Sequence, residues 1–399
     1  MIMEKLAIHG GAPVRETPLT YGKQYIDEAD IEAVANVLRS PLITSGPQIQ
    51  ILEDNLCRIT GAKYAVAVSN GTAALHVACL AAGIHEGDEV ITTPMTFAAS
   101  ANCALYCGAR PVFADIDPET YNISPTSIRE HITENTKAVI AVDFTGQAVE
   151  LDEIRKICSE YNLILIEDAA HSLGTTYNGF PVGSIADMTT LSFHPVKTVT
   201  SGEGGAILTN SKELFDKLVL FRSHAITRDA HQMVHPTGEG WYYEQVELGY
   251  NYRMTDFQAA LLSSQLSKLE KFSARRKEIV KMYDEAFLQI PEVTVQKEIQ
   301  ESDTTRHLYI LRFNHNRLTA SRKEIFDALR AENIHCNVHY IPVYYHPYYQ
   351  KLGYAKGLCP IAEEIYEEII TMPLYYSMTN DDVHDVIAAV KKVIAHYRR

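Results

Sequence analysis

The chain has 399 residues, enough at about 150 residues per domain for two or three domains that each bury a core. Hydrophobic residues make up 46% of it and charged residues 22%, which excludes disordered, collagen-like and coiled-coil chains. Fifty Asp and Glu against thirty-six Lys and Arg give a net charge of −14, the wrong sign for a nucleic-acid partner. The seven cysteines are scattered without a CxxC pair and read as reduced thiols; Cys103 and Cys107, four apart, are expected to be core residues, and no metal site is expected. The opening residues lack the apolar run of a signal peptide, and no segment offers the roughly twenty apolar residues of a bilayer span. A cytoplasmic protein with no membrane partner is the expectation.

From about residue 60 to 225, short β-branched runs alternate with helical stretches, as in a parallel sheet covered by helices. In chain order, strands are expected at 64–68, 89–93, 111–114, 137–144 and 162–166, the last ending in Glu167 and Asp168. Between them fall helices at 72–82, 98–106 and 151–161, and a further apolar strand follows at 206–209. A charged helix over 267–288 opens a second unit with strands at 308–313 and 336–340 and helices at 321–332 and 382–397. In the last helix, Val383, Val386, Ile387, Val390 and Ile394 share one face. The expected fold class is α/β: a large domain, 1–264, with a mostly parallel central sheet, and a smaller C-terminal α+β domain, 265–399. In such sheets ligands bind beyond the carboxyl ends of the strands, so Ser69, Thr93 and Asp168 mark where chemistry belongs.

Three segments stand at those ends. Ser69-Asn-Gly-Thr-Ala-Ala-Leu75 turns through Gly71 into a helix whose first amides, with the Thr72 hydroxyl, can hold an anion; taken alone, an ordinary helix cap is the commoner case. Glu167-Asp168-Ala-Ala-His171 ends an apolar strand with carboxylates that either cap the next helix or pair with a cation. Ser192-Phe-His-Pro-Val-Lys197, followed by Gly202-Glu-Gly-Gly205, sets a lysine at the edge of a covered sheet, where a lowered pKa permits a Schiff base. Together they supply what pyridoxal 5′-phosphate needs: a lysine, a carboxylate for the ring nitrogen, and a helix N-terminus with hydroxyls for the phosphate.

The segments SNGTAAL, PMTFAASAN, EDAAHS, SFHPVKTVTSGEGGAILTN and GYNYRMTDFQAAL, in register over nearly the whole chain, resemble the successive motifs of the DegT/StrS-type sugar aminotransferases, which have the fold-type I architecture. The resemblance implies that Lys197 carries the cofactor and shuttles the proton, and that Asp168 pairs with the ring nitrogen. It implies that Gly71, Thr72, Ala73 and Ser192 form the phosphate site, that Phe97 stacks on the ring, and that His171 lies near the ring hydroxyl. Asn251 would reach the phosphate site of a neighbouring subunit, so a homodimer with shared active sites is implied.

A finer resemblance, in YGKQYID, LFRSHA and NVHYIPVYYHPYYQKL, is to the branch that serves pseudaminic acid biosynthesis. It implies C4 amination of UDP-2-acetamido-2,6-dideoxy-β-L-arabino-hex-4-ulose, with L-glutamate as donor and 2-oxoglutarate as by-product. Aromatic faces with hydroxyl and imidazole groups suit a nucleotide sugar, and Tyr21, His339 and Tyr340 are the substrate-side candidates. Three alternatives stay open: a 4-aminotransferase for another UDP- or GDP-4-keto-6-deoxy sugar, such as a perosamine-type one; a different pyridoxal phosphate enzyme; and a regulatory protein that binds the cofactor.

Overall fold

The computed structural model describes residues 5–399. Its centre is a seven-stranded sheet in the spatial order Tyr64–Val68, Gly205–Thr209, Met188–Ser192, Ile164–Asp168, Thr136–Val142, Glu89–Thr92, Arg110–Phe113. All neighbours are parallel except Gly205–Thr209, which runs antiparallel between its two partners. Because successive side chains of a strand point to opposite faces, one sheet feeds two cores. Ala65, Ala67, Val139, Leu165, Leu191, Ala206 and Leu208 face one. Val66, Val68, Ile140, Ile166 and Ile207 face the other. Burial on both sides explains why these strands read as unbroken apolar runs instead of alternating ones.

The helix Gly71–Ala81 begins where the Asn70 side chain accepts from the Ala73 amide at 2.8 Å. It is apolar all round because it lies between the sheet and the helices Ala99–Tyr106 and Lys212–Arg222. On the opposite side, Asp256–Leu266 packs against Glu28–Arg39 and Pro47–Thr60, two N-terminal helices for which the sequence had yielded no expectation. Arg222, from the LFRSHA segment, turns away from the cavity described below. It donates to Glu53 at 2.7 Å and to the Ala67 carbonyl at 3.1 Å, tying its helix to the edge strand.

The C-terminal unit is a three-stranded antiparallel sheet, Val293–Val295, Tyr309–Phe313 and Ile369–Met372, covered by Leu269–Phe287, Arg322–Ala331 and Asn380–Tyr397. In the last helix Val383, Val386, Val390 and Ile394 are buried as their spacing requires, Ile387 partly so, and Val393 joins them. Leu6 and Leu19 pack into this second core, and Leu19–Thr20 pairs in parallel with Ile334–His335.

One expected strand is corrected. Residues 336–340 do not form one: regular pairing stops at His335, and Asn337 makes a single bridge to Thr371. The next residues then leave the sheet, and the consecutive residues Asn337, Val338, His339, Tyr340 and Ile341 all line the central cavity. Of the two cysteines expected in the core, Cys103 is buried and Cys107 is half-buried at the end of its helix. Among the described residues no helix is long and apolar enough to cross a membrane.

Candidate active site

Strand register decides which residues meet. Val142 pairs with Asp168, Asp168 with Thr190, and Gly205 lies between Val68 and Ser192. Asp168, Ser192 and the turn after Val68 therefore reach one edge of the sheet together. Over that edge opens a cavity of about 1060 Å³. It is lined by eleven of the twelve residues singled out from sequence: Tyr21, Gly71, Thr72, Ala73, Phe97, Asp168, His171, Ser192, Lys197, His339 and Tyr340. The twelfth, Asn251, is exposed and lies outside the cavity of its own chain.

The turn at Gly71 forms a cradle. A Cβ at Gly71 would sit 2.9 Å from the Ser192 Cβ and 3.1 Å from its hydroxyl, so only glycine lets the helix start approach the serine this closely. The Ala73 amide is already taken by Asn70, and Ala74 donates to the Asn70 carbonyl at 3.1 Å. The amides of Gly71 and Thr72 are the helix-start donors left for an anion.

Across the cavity lies Asp168, only 5% exposed. Its carboxylate accepts from the Ser100 hydroxyl at 2.6 Å and from the Ala170 amide at 3.3 Å, while Thr96 and Ser100 bond to each other at 2.8 Å. Burial pushes its pKa up, against the opposing pull of Ser100, Ala170 and Lys197. Ser100 had no place in the sequence reading. Its signal was a second hydroxyl four residues after Thr96 inside the PMTFAASAN segment.

Lys197 follows a turn in which its amide donates to the His194 carbonyl at 2.9 Å. Burial lowers its pKa to about 8, the Asp168 charge acting in the other direction. At pH 7 about a tenth of such a lysine is the free amine, against about one part in three thousand at the ordinary pKa. His171 and Tyr340 share a hydrogen bond at 3.2 Å between Nε2 and the phenol oxygen. Burial, and then the Lys197 charge, hold the His171 imidazole neutral, and its Nδ1 has no hydrogen-bond partner in the described chain. His339 bonds to Thr371 at 2.9 Å, and burial lowers its pKa to about 4. Tyr21 packs on His339 with ring centroids 5.3 Å apart, and Phe97, 63% exposed, faces Tyr340 at 6.4 Å.

These residues fit pyridoxal phosphate. A carboxylate buried without a hydrogen-bonded cation calls for a cationic partner, which a protonated pyridine nitrogen supplies. The unpartnered His171 Nδ1 awaits a polar group, and the glycine cradle an anion. Residues 24–391 match the DegT/DnrJ/EryC1/StrS aminotransferase family. The chain belongs to that family. As a member it is a pyridoxal phosphate-dependent sugar aminotransferase with the fold-type I architecture. It is 41% identical over 378 residues to the spore coat polysaccharide biosynthesis protein SpsC of Bacillus subtilis, covering 94% of this chain and 97% of that one. It is 37% identical over 385 residues to the UDP-4-amino-4,6-dideoxy-N-acetyl-beta-L-altrosamine transaminase of Campylobacter jejuni, covering 94% and 99%. Among solved structures it superposes with a TM-score of 0.88 on Helicobacter pylori PseC, an aminotransferase of pseudaminic acid biosynthesis, at 31% identity over 96% of this chain and 100% of that one.

Proposed function

We propose that this family member transfers an amino group from L-glutamate to the C4 carbonyl of a nucleotide-linked 4-keto-6-deoxy hexose. The observation that carries the reading is a lysine of lowered pKa and a buried aspartate facing one cavity of about 1060 Å³, a volume well beyond what the cofactor alone needs. When bound, pyridoxal phosphate supplies an electron-withdrawing ring that stabilises the negative charge left when a carbon loses its proton. In this reading Asp168 holds a proton on the ring nitrogen, Thr72, Ser192 and the helix-start amides hold the phosphate, and Ala73 fixes the helix start. Phe97 and His171 set the plane of the ring. Lys197 Nζ, unprotonated for part of the time at neutral pH, would move the proton between the cofactor and the substrate carbon, off the donor in one half-reaction and onto the sugar in the other.

We further propose the finer assignment to UDP-2-acetamido-2,6-dideoxy-β-L-arabino-hex-4-ulose in pseudaminic acid biosynthesis, supported by the names of the Campylobacter and Helicobacter proteins. Tyr21, His339 and Tyr340, grouped on one side of the cavity, are the substrate-side residues in this proposal. A second reading, a different UDP- or GDP-4-keto-6-deoxy sugar, is favoured by the higher identity to the spore coat polysaccharide protein. A homodimer belongs to the proposal because Asn251 is exposed and lies outside the lining of its own cavity. So do a cytoplasmic location, supported by seven free cysteines, and a domain division after residue 264. The deciding experiment follows the visible absorbance of the cofactor-loaded protein. Glutamate should bleach the band and the UDP-4-keto sugar restore it. Bleaching without restoration refutes the sugar, and no bleaching by any amino donor refutes transamination.

A further inference from the structure

Behind Asp168 the wall holds two more carboxyl groups. Glu167 precedes it on the same strand and so points to the opposite face of the sheet. Asp143 follows the neighbouring strand, its amide donating to the Asp168 carbonyl at 3.1 Å. Both side chains are completely buried. Asp143 accepts from the Ser172 hydroxyl at 2.5 Å and from the Val149 amide at 3.0 Å. Glu167 Oε2 accepts from the Thr189 hydroxyl at 2.8 Å, while Glu167 Oε1 is buried with no donor in the described chain. Two further groups approach Glu167: the Gly183 amide, and the Asp143 carboxyl just beyond the adjoining strand.

Two acceptors cannot satisfy each other. A dry contact between carboxyl groups is stable when one of them carries a proton and donates it, which also gives Glu167 Oε1 its missing partner. Charge demands the same. The leading charges acting on Asp143 are those of Glu167 and Asp168, and the leading one on Glu167 is that of Asp168. On the cavity side Asp168 is faced by Lys197 and by His171, which is neutral, as is His307 packed on it with ring centroids 4.4 Å apart. Three ionised carboxylates here would have one cation between them. Burial accordingly pushes Glu167 up to about 7 and Asp143 well above the usual carboxylate range.

We propose that Asp143 and Glu167 share one proton and act together as positioning residues for Asp168. The proton keeps the wall from carrying three charges, and the one charge the pair retains raises the affinity of Asp168 for a proton on the ring nitrogen. The second half rests on the reading that Asp168 faces the cofactor ring. The first half does not.

The test uses Asp143→Asn, Glu167→Gln and the double variant, each close to the native shape. Infrared spectra of the cofactor-free protein at pH 7 should show a buried, slowly exchanging carboxylic acid band that fades at alkaline pH and is absent from the double variant. No such band in the native protein, or a band that persists in the double variant, overturns the shared proton. If the variants do not fold, the native pH titration of that band decides alone. In the cofactor-loaded double variant the wall has lost one negative charge, so the pH midpoint of the visible band should fall by about one unit, a tenfold change in proton affinity. An unmoved midpoint with the infrared band confirmed overturns the positioning role. Failure to form any visible band counts instead against the placement of the cofactor.

Discussion

Replacing Gly205 with alanine would place a methyl carbon 2.4 Å from the Asn70 carbonyl oxygen, 2.5 Å from its carbon and 2.9 Å from the Gly71 nitrogen. Comfortable contacts begin near 3.5 Å, so one backbone or the other must retreat by about 1 Å. Gly205 is poorly placed to yield. It is paired on one side with Val68 and on the other with Ser192, in the middle of a sheet buried on both faces. The turn at residues 70 and 71 must give way, and it carries the helix-start amides that form the anion cradle. Overpacking of this kind costs about 1–3 kcal/mol of stability. Loss or misalignment of one hydrogen bond to a charged group costs about 1.5–3 kcal/mol of binding, or about ten- to a hundredfold in the dissociation constant of pyridoxal phosphate. Titrating the cofactor-free variant while following absorbance measures this directly. Gly240→Ala, where nothing lies within 4 Å of the new carbon, is the control. A Gly205→Ala protein that binds the cofactor within twofold of the native affinity would refute the assignment of the cradle.

Lys197→Ala should bind the cofactor without the native visible band and lose at least about a thousandfold in kcat, as expected when a positioned proton carrier is removed; turnover within tenfold would move that role to another residue. Ser100→Ala removes the 2.6 Å donor to Asp168. That hydroxyl holds the Asp168 pKa down, so its loss should shift the acid limb of the kcat profile to higher pH and cost about tenfold in kcat, with KM for the donor little changed. The Asp143–Glu167 pair predicts a pH-dependent stability. Besides the proton it shares with Asp143, Glu167, raised to about 7, binds one of its own below that pH, where the unfolded chain has released it above about pH 4.3. Its stabilising contribution is therefore fullest below that value and is lost as pH rises through about 7, at up to about 1.4 kcal/mol per unit between pH 5 and 7. Urea unfolding at pH 5.5, 6.5 and 7.5 should show this decline in the native protein and a shallower one in Glu167→Gln, and equal slopes would contradict the burial of an extra proton. Arg222→Met leaves Glu53 as a buried carboxylate without its cation and should cost about 3 kcal/mol of stability while sparing the cofactor spectrum, read by denaturation and absorbance on the same samples.

The central sheet and its covering helices were legible in the sequence wherever burial was complete. The strand at 64–68 and the helix over 151–161 fall where their patterns place them, and the strand read at 162–166 forms two residues later over Ile164–Asp168, because the sheet is covered on both faces. The helices Glu28–Arg39 and Pro47–Thr60 escaped notice for the converse reason. Ile31, Leu38 and Ile51 are exposed in this chain, which blurs the helical periodicity. The 336–340 segment reads as a strand because Val338 and Tyr340 favour extended backbone; it became a loop because Asn337 pairs with Thr371 and the following residues turn into the cavity.

Residue types and their order along the chain determined the chemistry on their own. A lysine before a glycine-rich turn, an acid ending an apolar strand and a glycine opening a helix can be named without coordinates, since each role follows from local backbone and functional group. What faces what needed the tertiary structure. The register that sets Asp168 beside Ser192, the hydroxyl of Ser100 sixty-eight residues before the carboxylate it serves, and the contact between Asp143 and Glu167 all depend on which strands become neighbours. Lys197 has a lowered pKa and Asp168 a raised one for the same reason. Desolvation is a property of the enclosing fold, not of the residue, so sequence could nominate these groups but only packing could set their proton affinities.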